Sequence, residues 1–336
     1  MKQKDGGPVL VGVGGWAYLP IKHANKLRVC SKLYDFVELN STYYKLPKVE
    51  SAIKWRKLVP DDFEFTVRTN GKLTHGNHLR PTEENFRIYD KMLEICRALD
   101  ARILHFQFPP SFKVTREVIS DWRSFFKTAE KRGVRRNPGL NYAFEVRSSS
   151  NNNSAGDSSS LQEFYDEFDI IPTGDASRSD VRPSSDSKIL YTRVFGPGDH
   201  TKWSFDSNEI ENLKKKVESI PARRRYVTFH NITMYDDASR FKSSVHGEDR
   251  EITLQKRLGE PADGGESLRR TLLLSRVKFP VSKQELEKQV GWKTFDTSGG
   301  RKVHVSEPLN RLEDEEEKKY NSVDEIMESL LEKQVV

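Results

Sequence analysis

Eight short apolar runs recur along this chain, at residues 9–13, 35–40, 63–68, 102–107, 141–147, 169–174, 188–195 and 225–231. Between most of them apolar residues repeat at helical spacing, near 22–34, 48–58, 83–100, 114–132, 160–167, 206–219 and 234–243. The sixth connection, Ala176 to Ser187, is rich in Ser, Asp and Arg and shows no helical pattern. Strand and helix in alternation specify an α/β fold with a parallel sheet and right-handed crossovers. A closed (β/α)8 TIM barrel is its economical form, and a doubly wound open sheet is the rival. A barrel needs about 250 residues, and the alternation stops near Gly247 of a 336-residue chain. Residues 1–247 are therefore read as the barrel and 248–336 as a small C-terminal α/β appendage.

The appendage has its own signals. Ser282 followed by Glu285 is a capping box opening a helix that ends near Gly291, a strand-like stretch covers 301–305, and a last helix covers about 323–333. Such a module fits a role in covering the barrel or binding a protein partner. Nothing in the chain reaches the roughly 18 consecutive apolar residues of a membrane span, so no membrane association is expected. Met1–Asp5 has no apolar core of a signal peptide, and a cytoplasmic location is expected. Cys30 and Cys96 lie in helical patterns without metal-ligand or disulfide spacing. The net charge is +6 over the chain, and residues 1–247 hold an excess of about +9 by sequence count. A basic unit of this size favours anionic partners, either nucleic acid or phosphorylated small molecules.

In a barrel, functional side chains belong at the C-terminal strand ends. The stretch Val37-Glu38-Leu39-Asn40-Ser41-Thr42-Tyr43-Tyr44 sets the pattern: Glu38 and Asn40 share one face of a strand that runs into hydroxyls and tyrosines. The other ends supply Trp16 and Tyr18 after Gly14-Gly15, Arg68 with Thr74-His75, His105 and Gln107, Glu145 and Arg147, Asp175, Arg193, and His230-Asn231. Charges of both signs gathered at one mouth must pair or meet a ligand. Arg68, Arg147 and Arg193 suit anionic oxygens through charge-assisted hydrogen bonds. Glu38, Glu145 and His75 are the candidate catalytic acids and bases. Trp16, Tyr18, Asn40, Tyr44, Gln107, Asp175 and Asn231 complete the candidate ligand contacts.

A divalent metal is a further possibility, held among Glu38, His105, Glu145, Asp175 and His230, although no H-x-H or H-E-x-x-H spacing supports it and no metal ligand is assigned. His105, flanked by Leu104, Phe106 and Phe108, also reads as a core histidine. The aromatics Trp16, Tyr18, Tyr43 and Tyr44 suit stacking on bases or sugars, or packing within the mouth. The triplets Lys214–Lys216 and Arg223–Arg225 fall on the opposite face and read as solvated surface.

Five ordered motifs resemble the YecE-like family, domain of unknown function 72. They are Gly15-Trp16-Ala17-Tyr18; Val37 to Tyr44 with Leu46-Pro47; Thr74-His75; Phe106-Gln107-Phe108-Pro109-Pro110-Ser111-Phe112; and Glu145-Val146-Arg147. The resemblance implies a TIM barrel similar to that of endonuclease IV, and hence nucleic-acid binding or cleavage. Where the family carries Arg-x-His-Gly and Phe-Asn-Asn, this chain has Arg193-Val194-Phe195-Gly196 and His230-Asn231-Ile232. The leading expectation is a hydrolase of the phosphodiesterase or nuclease type acting on a phosphate-containing ligand. The alternatives are an enzyme on a small sugar-phosphate or sugar-like substrate, using Glu38 and Glu145 as paired carboxylates, and a non-catalytic adaptor whose Glu/Arg cluster is internally paired.

Overall fold

The computed structural model describes residues 7–19, 24–134, 136–146, 155–197, 203–247, 264–275, 277–297, 301–312 and 318–331. Two compact units emerge, Met1–Glu248 and Asp249–Val336. In the first, β1 (Val9–Val13), β2 (Phe36–Leu39), β3 (Glu64–Arg68), β4 (Ile103–Gln107), β5 (Asn141–Glu145), β6 (Ile171–Pro172), β7 (Ile189–Val194) and β8 (Arg224–Phe229) form one sheet. Its order is β6-β5-β4-β3-β2-β1-β8-β7, and every pairing is parallel. A single parallel bridge from Gly174 to Thr192 joins its two ends, giving a nearly closed TIM barrel. The helices are α1 (Lys26–Leu33), α2 (Val49–Lys57), α3 (Glu83–Leu99), α4 (Arg116–Lys131), α5 (Ala155–Phe168), α6 (Ser207–Ser219) and α7 (Met234–His246). Among the described residues no helix is long and apolar enough to cross a membrane.

Alternation along each strand sorts the side chains. Val11, Val13, Val37, Leu39, Phe65, Val67, Leu104, Phe106, Phe144 and Val227 join the large core beneath the helices. Phe36, Ile103, Ala143, Ile171, Tyr191 and Tyr226 form a second cluster inside the barrel. This interior plug is a packed layer, as barrels of this size require. It leaves the inward positions nearer the C-terminal ends to polar residues. Helix starts are fixed by short side-chain caps that satisfy first-turn N–H groups. Thr82 and Thr115 accept from Asn85 and Val118, and Asp206 forms a reciprocal capping box with Glu209.

Two local expectations change. Helix α5 begins at Ala155, inside the Ser- and Asn-rich stretch 148–160, whose composition alone favours a flexible loop; residues 147–154 lie outside the described residues. Arg223–Arg225 is not simply solvated surface. Arg225 is buried and donates to the carbonyls of Gly7 and Ile220, while Arg224 pairs with Glu64, which also accepts from Tyr226 at 2.7 Å. That network closes the N-terminal end of the barrel.

The second unit has its own apolar core, including Leu268, Leu272, Leu286, Phe295, Leu309, Tyr320 and Ile326. It contains helices Gly264–Leu274 and Val323–Leu331, a capped helix from Lys283 that continues as a wider turn to Gly291, and two short antiparallel strand pairs. The Ser282–Glu285 capping box is formed.

Candidate functional site at the barrel mouth

Above the apolar plug, the register sets polar side chains side by side. Thr66 is opposite Glu38, His105 opposite Arg68, Gln107 opposite Glu145, and Thr228 opposite Arg193. Arg193 lies at the centre. Its Nε donates to Glu38 Oε2 at 3.1 Å and its Nη2 to Glu38 Oε1 at 3.0 Å, a two-point grip on one carboxylate. Its Nη1 donates to Glu145 Oε2 at 2.8 Å. Tyr191 adds a short hydrogen bond to Glu38 from below. Glu38 is 0 % exposed, Arg193 3 % and Glu145 4 %, so water does little of the screening and the ion pairs must satisfy these charges themselves.

The protonation states follow from that burial. Burial alone raises the Glu38 pKa, but the Arg193 guanidinium overcomes it and holds the carboxyl well below the usual carboxylate range. Burial pushes Tyr191 well above the usual phenol range, helped by the Glu38 charge, so it remains a donor. His230 is drawn down to about 4 by burial and then by Arg193. It is therefore neutral. Arg193 Nη2 lies 3.4 Å from its Nδ1, which must accept, and the proton belongs on Nε2, 3.3 Å from Thr228 Oγ1 and 3.6 Å from Glu38 Oε1. Phe195 stacks on this imidazole, with ring centres 5.2 Å apart. A methyl group on Gly14 would reach to 2.4 Å from the same ring. Gly14→Ala therefore displaces His230, and thermal denaturation should show a loss of about 1–3 kcal/mol.

His105 is buried but not a satisfied core histidine. Leu104, Phe106 and Phe108 lie in the core beneath the helices, whereas alternation turns His105 inward. Its Nε2 is 3.2 Å from Glu145 Oε2 and its Nδ1 is 3.9 Å from Glu38 Oε2. Neither nitrogen makes an aligned hydrogen bond. Burial lowers its pKa against the opposing pull of Glu145.

Arg68 contrasts with Arg193. Its guanidinium lies 4.0 Å from the Tyr43 ring centre, and it makes no ion pair or side-chain hydrogen bond among the described residues; its Nε is shut off from solvent. Burial, followed by the nearby Arg193 charge, lowers its pKa. Tyr43 is held in place by its surroundings. Asn70 donates to the carbonyls of Thr42 and Tyr43, and His75, itself 3.0 Å from Thr74 Oγ1, meets the Tyr43 ring edge-on. Gln107 is 6 % exposed and its amide has no hydrogen-bond partner among the described residues. Asn40 donates to the Gly14 carbonyl at 3.0 Å and leaves its Oδ1 unpartnered. Trp16 packs edge-on against Trp55, while Tyr18 and Tyr44 are 84 % and 80 % exposed.

The structure thus brings Glu38, Glu145, Arg193, His105 and His230 into one cluster and sets Arg68 beside it. Other expected contacts go elsewhere. Asp175 accepts from Ser177 and the Phe195 backbone N–H and pairs with Arg178, so its carboxylate ties down its own loop. The Asn231 amide donates to Trp203, Thr233 and Asp237 at the start of α7. Arg193 is paired with two carboxylates, and Glu38 is sealed beneath it. Arg147 lies outside the described residues. Tyr191, Asn70 and Phe195 escaped the sequence reading. Inward alternation along 188–195 was the available signal for Tyr191.

The metal expectation fails a test of fit. Both Glu38 oxygens, one Glu145 oxygen and His230 Nδ1 lie within contact of the Arg193 guanidinium, and Asp175 is committed to its loop. Among the described residues no group of three or more His, Cys, Asp or Glu is arranged to hold a metal ion. A surface cleft of about 640 Å³ lies away from these residues, between α2 and α3, and includes Leu46, Arg87, Ile88 and Ile95.

Comparison with known proteins bears on this barrel. The solved structure of a DUF72 family protein from Enterococcus faecalis V583 superposes with a TM-score of 0.56 at 18% identity, covering 72% of this chain and 96% of that one. A DUF72 family protein from Thermotoga maritima MSB8 gives 0.55 at 21%, covering 70% and 98%. At these identities the likeness shows the fold. UPF0759 protein YunF of Bacillus subtilis (strain 168) is 25% identical over 123 residues, which is 33% of this chain. The match spans 44% of that relative, less than half its length. The family model described as "Protein of unknown function DUF72" matches residues 10–262, most of the chain. The chain therefore belongs to the DUF72 family.

Proposed function

We propose that the barrel mouth binds a phosphate-bearing ligand, with Arg68 as its principal anion contact and Gln107 beside it. One observation carries this reading. Of the two guanidiniums described at the mouth, Arg193 is neutralised internally, whereas Arg68 is largely withdrawn from water with an aromatic ring as its partner and no ion pair among the described residues. Holding a desolvated cation without a counter-ion is costly, and an incoming phosphate oxygen would offset that cost through charge-assisted hydrogen bonds. The Tyr43 ring keeps the guanidinium in place for such a contact. If the ligand is a phosphate ester that is turned over, Glu145 is the acid–base candidate, backed by His105, because Glu38 is sealed. The internal pairing of Glu38 and Glu145 supports binding more directly than it supports hydrolysis.

The test is a titration of the full chain with inorganic phosphate, a hexose phosphate and a short single-stranded oligonucleotide over a range of salt. Binding that weakens with salt is expected. Arg68→Met should weaken it about 10- to 100-fold, the worth of a charged hydrogen bond, without lowering the melting temperature, since it removes an unpaired buried cation. Stronger retention of the oligonucleotide than of the small phosphates would favour nucleic acid as the ligand. Absence of binding to all three probes at low salt, or equal binding by Arg68→Met, would remove the proposal.

A further inference from the structure

Four side chains of the kinds that hold divalent metal ions meet inside the barrel, the carboxylates of Glu38 and Glu145 and the imidazoles of His105 and His230. What lies among them is a guanidinium. Arg193 reaches Glu38 through two nitrogens at 3.1 and 3.0 Å, Glu145 at 2.8 Å and His230 Nδ1 at 3.4 Å. We infer that Arg193 stands in the place of a divalent metal ion, so that this mouth works without such an ion and excludes it for as long as Arg193 is present.

Three observations support the assignment. The guanidinium occupies the lone pairs that a metal ion would need, including both oxygens of Glu38. Because it stays protonated at any ordinary pH, a metal ion cannot share the cluster without facing a fixed positive charge at close range; it must displace the arginine or stay out. The third observation is His105. It is 0 % exposed, one of its nitrogens faces each carboxylate at 3.2 and 3.9 Å, and neither makes an aligned hydrogen bond among the described residues. A buried polar group left in this state calls for a reason. Two carboxylates and two imidazoles are of the types that ligate zinc or manganese, yet with Arg193 among them no three are arranged to hold an ion among the described residues. A guanidinium, which only donates, grips the carboxylates and leaves His105 over.

The experiment titrates the full chain and its Arg193→Lys and Arg193→Ala variants with Zn2+ and Mn2+, by calorimetry and by thermal denaturation. The wild type and Arg193→Lys should show no saturable binding and no rise in melting temperature. Arg193→Ala should melt lower, bind one ion per chain and regain melting temperature with it. Adding His105→Ala to that variant should weaken the ion about tenfold or more, the effect typical of losing a group that supports a metal site. If Arg193→Ala is purified unfolded, it is refolded with and without excess metal, and native circular dichroism should return only with metal. The inference is overturned by stoichiometric binding to the wild type that Glu145→Gln abolishes, by a folded Arg193→Ala that binds no tighter than wild type, or by refolding that fails with both ions.

Discussion

Arg193→Met should lower the stability of the barrel by about 3–5 kcal/mol, the usual cost of leaving a buried charge without its partner. Two carboxylates lose their counter-ion together, and both are nearly inaccessible to water. Each must then take up a proton or remain charged in a poorly solvating interior. The loss should therefore shrink as the pH falls and the carboxyl groups become neutral. Methionine matches much of the arginine stem, so the result reports charge more than volume. Urea denaturation followed by hydrogen exchange in β7 isolates the barrel from the second compact unit, whose own unfolding would otherwise blur a two-state analysis. A loss under about 1 kcal/mol, the range of exposed ion pairs, would mean that the cluster is better hydrated than its burial indicates.

The stability of the barrel should also decline on the acid side earlier than carboxylate titration alone would produce. His230 is held neutral, with its pKa drawn down to about 4, whereas in the unfolded chain a histidine titrates near 6.5. Between those values the unfolded state binds a proton that the folded state refuses. Stability therefore falls as the pH drops from about 6.5 to about 4, by at most about 3 kcal/mol. His105 and the partly exposed His78 act in the same direction. Glu38 acts lower down. Its folded pKa is depressed, so its contribution is present above its unfolded value, near 4.3, and is lost as the pH falls through the folded one. Denaturation midpoints at a series of pH values, compared with those of His230→Gln, resolve the two steps. The variant should flatten the upper step and leave the lower one, while a wild type whose stability is constant from pH 7 to 5 would contradict the assignment of a neutral His230.

Much of the barrel was legible because strand and helix periodicities are local. Val9–Val13, Ile103–Gln107 and Ile189–Val194 fall where the apolar runs placed them. Glu38, Glu145 and Arg193 were visible as charges at strand ends. Their partnership was not, because Glu38 and Arg193 are 155 positions apart in sequence and meet only across the closed barrel. The same distance hid Tyr191, which reads as an ordinary aromatic until the sheet curls and places it under Glu38. Asp175 and Asn231 misled for a local reason. Asp175 caps its own turn through the Ser177 N–H, and the Asn231 amide nitrogen is spent on Trp203, Thr233 and Asp237. Arg225 was misread because sequence does not reveal that a strand-start arginine will reach the Ile220 and Gly7 carbonyls.

The central claim is a division of labour between two arginines, with Arg193 closing the interior and Arg68 meeting the ligand. The most direct measurement is a crystal structure of the full chain soaked in tungstate, an electron-dense analogue of a phosphate oxyanion. The account requires an anion within hydrogen-bonding distance of the Arg68 guanidinium, with Arg193 still bridging Glu38 and Glu145. Tungstate bound to Arg193 with the carboxylates released, or an Arg68 that stays bare while the anion occupies another part of the mouth, would contradict it.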